Sequence, residues 1–163
     1  MVGVNPIALR TTLSKPFGRG GISTCALVAS AIHFLSGYDP DDLKKNYVWG
    51  DAVARCVRYL KADGVWVKAT PTGRPDLGSC IVIGCHSKGE SLGGIEHVMT
   101  VVGLQDDLLI TVDGGQTDSN GLQAIRRVHR RFTIRNGDLW VVTEQGDIDS
   151  APGRKVLGWG LPQ

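Results

Sequence analysis

The spacing of apolar residues changes partway along the chain, from a helical period before Gly64 to a strand period after it. The run Ala26-Leu27-Val28-Ala29-Ser30-Ala31-Ile32 predicts a first helix from about Thr24 to Ser36, stopped by Gly37 at a good C-cap position. Turn signals follow at Asp39-Pro40-Asp41-Asp42. Val53, Cys56, Val57 and Leu60 then share one face of a second helix over roughly Asp51 to Ala62. Beyond Gly64 the apolar stretches are short, rich in β-branched residues and bounded by turn residues: Val65–Ala69, Cys80–Ile83, His97–Val102 and Leu108–Val112. Two further strands, around Val128 to Ile134 and Leu139 to Thr143, are joined by Asn136-Gly137, a strong hairpin signal. Helices first and closely connected strands afterwards predict an α+β fold, with N-terminal helices packed on an antiparallel sheet of about five to six strands. Residues 1–21, with Pro6, Pro16 and Gly18-Arg19-Gly20-Gly21, read as an irregular arm. Residues 147–163 read as an irregular tail that Trp159 can anchor.

A chain of 163 residues fits one domain over 1–163, long enough to bury a core without staples. The formal charge of +2 is close to balance, so composition gives no reason to expect nucleic acid. No apolar run approaches the roughly 18 residues of a membrane span, and Met1 to Arg10 holds no secretory core. The expected location is therefore cytoplasmic by default, with signal-independent export or phage-type release as the other routes. Four cysteines in a chain of this size do not make a disulfide framework, so reduced thiols are expected.

One of those thiols stands out. In Gly20-Gly21-Ile22-Ser23-Thr24-Cys25-Ala26 a glycine-rich loop ends on two hydroxyl residues, either of which is a natural N-cap, and Cys25 follows in the first helical turn. The positive end of a helix favours anions and lowers a thiol's pKa there. The competing reading makes Cys25 a small apolar residue on the buried face of the same helix. A thiolate nucleophile needs a base, and the base needs an orienting partner. His97 is the best base, because it opens a strand after the loop Ser91-Leu92-Gly93-Gly94-Ile95-Glu96 and so lies at the rim of a sheet. If 97–103 and 108–113 pair across Gln105-Asp106-Asp107, Asp113 comes level with His97 and can accept a bond from its second ring nitrogen. Asp113-Gly114-Gly115 is also ordinary turn chemistry. Gln116 is an alternative for the orienting role, or for polarising a substrate carbonyl.

Helix-start cysteine, strand-start histidine, then a polar residue on the next strand: this order resembles the NlpC/P60-like branch of the papain-like cysteine peptidases. The likeness covers roughly residues 20 to 116. Thr24-Cys25-Ala26-Leu27-Val28 takes the place of the family's nucleophile segment, and Arg74-Pro75-Asp76-Leu77-Gly78-Ser79-Cys80-Ile81-Val82 resembles its Pro-x-x-Gly-Asp-hydrophobic strand opening. His97-Val98-Met99-Thr100-Val101-Val102-Gly103 is similar to its His-Val-Gly-Ile-Tyr strand, and Val112-Asp113-Gly114-Gly115 falls at its third catalytic position. The chain departs from the family where Asp-Cys-Ser-Gly is Thr-Cys-Ala-Leu, where Ser79 replaces the Asp after Gly78, and in the long segment between Cys25 and His97. The resemblance implies a papain-like fold and hydrolysis of an amide bond, most often in peptidoglycan stem peptides. It implies catalysis by Cys25, His97 and Asp113, with the backbone amide of Cys25 in the oxyanion hole. No cofactor is implied. The implied partners are peptidoglycan or a peptide substrate, with an inhibitor or immunity protein as a further possibility.

Other signals compete less well. Cys80, Cys85 and His86, with His97 as a fourth ligand, lack the second paired set of a zinc site, and Cys80 sits in an apolar strand. His33 lies about two helical turns beyond Cys25, too far along the axis to act on the thiol. The cluster Arg126-Arg127-Val128-His129-Arg130-Arg131 reads first as a solvated strand face and second as a contact for an anionic polymer, without the aromatic interleaving of a nucleic-acid site. Two readings therefore stand beside a hydrolase: a catalytically silent binding or structural module, for example phage-associated, and an anion-binding protein using the arginine cluster.

Overall fold

The computed structural model describes residues 25, 26, 28, 29, 32, 53–84, 95–117, 123–143 and 154–161. Cys25, Ala26, Val28, Ala29 and Ile32 are helical, and the ten-residue helix α1 (Val53–Ala62) follows. The strands are β1 (Val67–Lys68), β2 (Cys80–Gly84), β3 (Ile95–Gln105), β4 (Leu108–Thr117), β5 (Gln123–Arg135), β6 (Asp138–Thr143) and β7 (Arg154–Gly160). Their order is β1-β7-β2-β3-β4-β5-β6, every pairing is antiparallel, and β6 pairs back onto β7.

That last pairing overturns the expected fold. An α+β papain-like arrangement, with N-terminal helices on an antiparallel sheet, is not what the described residues form. They are mostly strand, and six of the strands close into an antiparallel β-barrel. The strand that completes the ring is β7, in the stretch that reads as an irregular tail. Its glycines hide it. A Cβ at Gly158 would lie 2.5 Å from the Val67 carbonyl oxygen and collide with the Trp66 ring, and one at Gly160 would lie 2.9 Å from Leu60 Cδ2. Glycine is needed because β1 and α1 press on this strand, so the usual β-branched signature is missing.

Closure divides the buried residues into two bodies. Ile81, Ile83, Met99, Val101, Leu109, Phe132, Leu139, Val141, Val156 and Trp159 come from all six strands and fill the barrel. Outside, Val53, Cys56, Val57 and Leu60 of α1 pack with Cys25, Ala26 and Ala29 against Cys80, Val82, Val98 and Leu157. β2 is buried on both faces, with Cys80 and Val82 turned to the helices and Ile81 and Ile83 turned inward. Both expected hairpins form. Asn136 and Gly137 have φ of 51° and 79°, the pair of positive values that a type I′ turn demands, and Asp106 (φ 52°) turns β3 into β4. No described helix is long and apolar enough to cross a membrane.

Candidate active site

His97 reaches its position through a bulge. Ile83 pairs with His97 and Gly84 with Ile95, so Glu96 is the extra residue and the imidazole stands where the ladder is interrupted. Bulges at barrel rims commonly re-aim a side chain. His97 lies two residues before Met99, on the inward face of β3, and it is also hydrogen-bonded to the Cys25 side chain, which belongs to the outer core. The imidazole therefore joins the two buried bodies.

Inside the barrel its partner is Asp113. Nε2 of His97 and Oδ2 of Asp113 are 2.9 Å apart. A second bulge follows directly, since Asp113 pairs with Arg126 and Gln116 with Ala124. The Asp-Gly-Gly sequence is thus part of β4 rather than a turn. Asp113 is fully buried, and its carboxylate is held on both oxygens. Thr111 Oγ1 donates to Oδ1 at 2.5 Å, Arg130 Nη1 to Oδ1 at 3.2 Å and Arg130 Nη2 to Oδ2 at 2.6 Å. Arg130 Nη1 also donates to Thr111 Oγ1.

The charges follow from these contacts. Burial pushes the Asp113 carboxyl up, but the His97 hydrogen bond and the Arg130 charge outweigh it and hold the group below its ordinary value. Burial pushes His97 down; the bond to Asp113, the bond to Cys25 and both negative partners reverse that and raise it to about 9. The imidazole is therefore held protonated at neutral pH between the Asp113 carboxylate and the Cys25 sulfur.

Cys25, His97 and Asp113 are thus in one contiguous network, Cys25 6% exposed and the His97 side chain 16%. The expected N-cap residues Ser23 and Thr24, as well as His33, Cys85 and His86, lie outside the described residues. Gln116 is in β4, but its side chain is outside the described set. Among the described residues, no group of three or more His, Cys, Asp or Glu side chains is arranged to hold a metal ion.

The arginine cluster divides. Arg126, Arg127, His129 and Arg131 are exposed, as a solvated face requires, whereas Arg130 is buried. Read as a charge run, the segment conceals this. Read by alternation, Val128, Arg130 and Phe132 share one face, and an arginine between two apolar residues on an inward face needs a buried anion. Comparison with protein-family models, curated proteins and solved structures finds no match to this chain.

Proposed function

We propose that this protein is a cysteine hydrolase that cleaves an amide bond, with Cys25 as nucleophile, His97 as acid and then base, and Asp113 as the residue that orients His97. The contact of the Cys25 side chain with an imidazole whose other side is bound by a buried carboxylate carries the reading. A cationic imidazole beside a thiol favours the thiolate, the form that attacks carbonyl carbon. In acylation the Sγ–C bond forms, His97 gives its proton to the leaving amine nitrogen, and the C–N bond breaks to leave a thioester. In deacylation the neutral imidazole takes a proton from water, whose oxygen attacks the thioester. The Sγ–C bond then breaks, the carboxylic acid leaves, and the proton taken by His97 restores the Cys25–His97 pair. The backbone amide of Cys25 is the proposed oxyanion donor.

The resemblance in residue order to the NlpC/P60-like peptidases supports peptidoglycan stem peptides as the substrate class. Mass analysis of cell-wall fragments after incubation tests it. New fragments with the native protein and none with Cys25→Ala are expected; identical fragment patterns would reject the hydrolase. The near-complete burial of Cys25 favours a second reading, a binding module without turnover. In that case Cys25 stays unreactive toward alkylating reagents in the folded protein.

A further inference from the structure

We infer that Arg130 is a positioning residue of this site: its guanidinium locks the Asp113 carboxylate and offsets its charge, so that His97 can both hold and release a proton. The inference rests on the reading of Cys25 and His97 as nucleophile and base.

The geometry is that of a buried fork on a buried carboxylate. Arg130 sits on β5 opposite Leu109, and its side chain runs along the barrel interior to reach Asp113, four residues further along β4. Both carboxylate oxygens are engaged, and Thr111 holds one of them as well. A carboxylate held on both oxygens cannot swing away from the imidazole, so the plane of the His97 ring is set partly from β5.

The electrostatic half concerns the sequence of proton transfers. The described groups facing His97 are Asp113 from β4 and Cys25 from the helical segment, while Arg130 from β5 faces Asp113. Were the imidazole the sole cationic partner of a fully buried carboxylate, the imidazolium would be held too firmly. Deacylation requires neutral imidazole, because it must accept a proton from water. Placing a second cation on the same carboxylate divides one negative charge between two partners and weakens the hold. Nothing in hydrogen bonding to His97 itself requires Arg130; the effect passes through Asp113.

Titration of His97, followed through its ring-proton NMR signals in the intact protein, tests the inference. Arg130→Met is expected to move the midpoint upward by about one pH unit, the scale set by one neighbouring charge. Arg130→Lys keeps the charge without the fork and should move it less. The double variant Asp113→Asn with Arg130→Met removes both charges, and its midpoint should fall below that of the native protein. In turnover, Arg130→Met should accumulate acyl-enzyme, with deacylation slowed about tenfold by the same change in proton affinity. A midpoint unmoved in Arg130→Met would overturn the inference. If Arg130→Met fails to fold but the double variant folds, the guanidinium is the counter-charge that Asp113 requires, which supports it. If neither folds, Arg130 serves packing and the inference is rejected. A midpoint that moves as expected in a protein whose Cys25 never reacts would uphold the coupling and reject the hydrolase reading instead.

Discussion

Cys25 and Cys80 are both buried in the same apolar body outside the barrel, yet their neighbours differ in kind. Burial first, and the adjoining Cys56 thiol after it, push the Cys80 thiol well above its ordinary value. Cys25 meets instead the His97 imidazole, itself held protonated through Asp113. Two thiols in one core, one beside another thiol and one beside a cation, show that similar burial can go with opposite surroundings. On the proposed reading, the partner that reaches a buried cysteine decides whether it is inert.

Removing the proposed nucleophile or its proposed base should have the largest effect on that contrast. Cys25→Ala and His97→Ala are each expected to lower turnover by roughly 10⁴-fold or more, since members of such a unit fail together. Asp113→Asn and Asp113→Ala should leave more activity, because on the proposed reading Asp113 orients chemistry that the other two perform. Kinetics unaltered in the Asp113 variants but crippled in Gln116→Ala would move the orienting role to Gln116.

Limited alkylation gives the next largest effect. Near pH 6 an ordinary thiol, with a pKa of about 8.5, is almost wholly protonated, whereas one paired with an imidazolium can remain thiolate. Peptide mapping should find Cys25 modified about 100-fold faster than Cys80 or Cys56 under these conditions. His97→Ala should abolish the advantage. If Cys85 is modified first and Cys25 only after denaturation, the two buried thiols are alike and the contrast is broken.

The dependence of stability on pH is smaller and has a defined sign. His97 rises from 6.5 to about 9 on folding, so its contribution is complete below pH 6.5 and is lost as pH climbs through 9. The size is about 3 kcal/mol across that window. Asp113 is depressed from 3.8, so its contribution is present above that value and is lost as pH falls through its lower folded value. Denaturant unfolding from pH 6 to 9 should therefore show declining stability in the native protein and a flatter profile in His97→Ala. A native profile as flat as the variant's would mean that the imidazole is not held protonated.

What the sequence disclosed depended on whether a pattern was local. The helix over α1 is written in Val53, Cys56, Val57 and Leu60, and both hairpins in turn residues that tolerate positive φ. The nearness of His97 and Asp113 can be counted across a short hairpin. Closure of the barrel could not be read, because, besides its neighbour β6, strand β7 pairs with β1 and β2, both distant in sequence, and its glycines answer to Trp66, Val67 and Leu60. That interaction overrides local propensity. Arg130 was hidden for a different reason: among four arginines in six residues a single buried one leaves no mark on net charge, and only the alternation with Val128 and Phe132 marks it. The bulges beside His97 and Asp113 likewise have no composition signal, though they set where both side chains point.

The smallest expected effect falls on the other member of the pair. Cys80 is fully enclosed between α1 and the barrel wall, so Cys80→Ala removes a sulfur atom from a close-packed site and leaves a cavity. A loss of about 1–2 kcal/mol is expected, read as a lower denaturant midpoint with an unchanged slope. Turnover and Cys25 labelling should stay within about twofold of native, because the packing of Cys80 does not touch the proton path through His97 and Asp113. The two cysteines would then divide cleanly, one serving stability and the other chemistry. A variant that keeps its fold but loses more than about tenfold in turnover would instead place Cys80 behind the nucleophile, as part of what holds the Cys25 helix against β2.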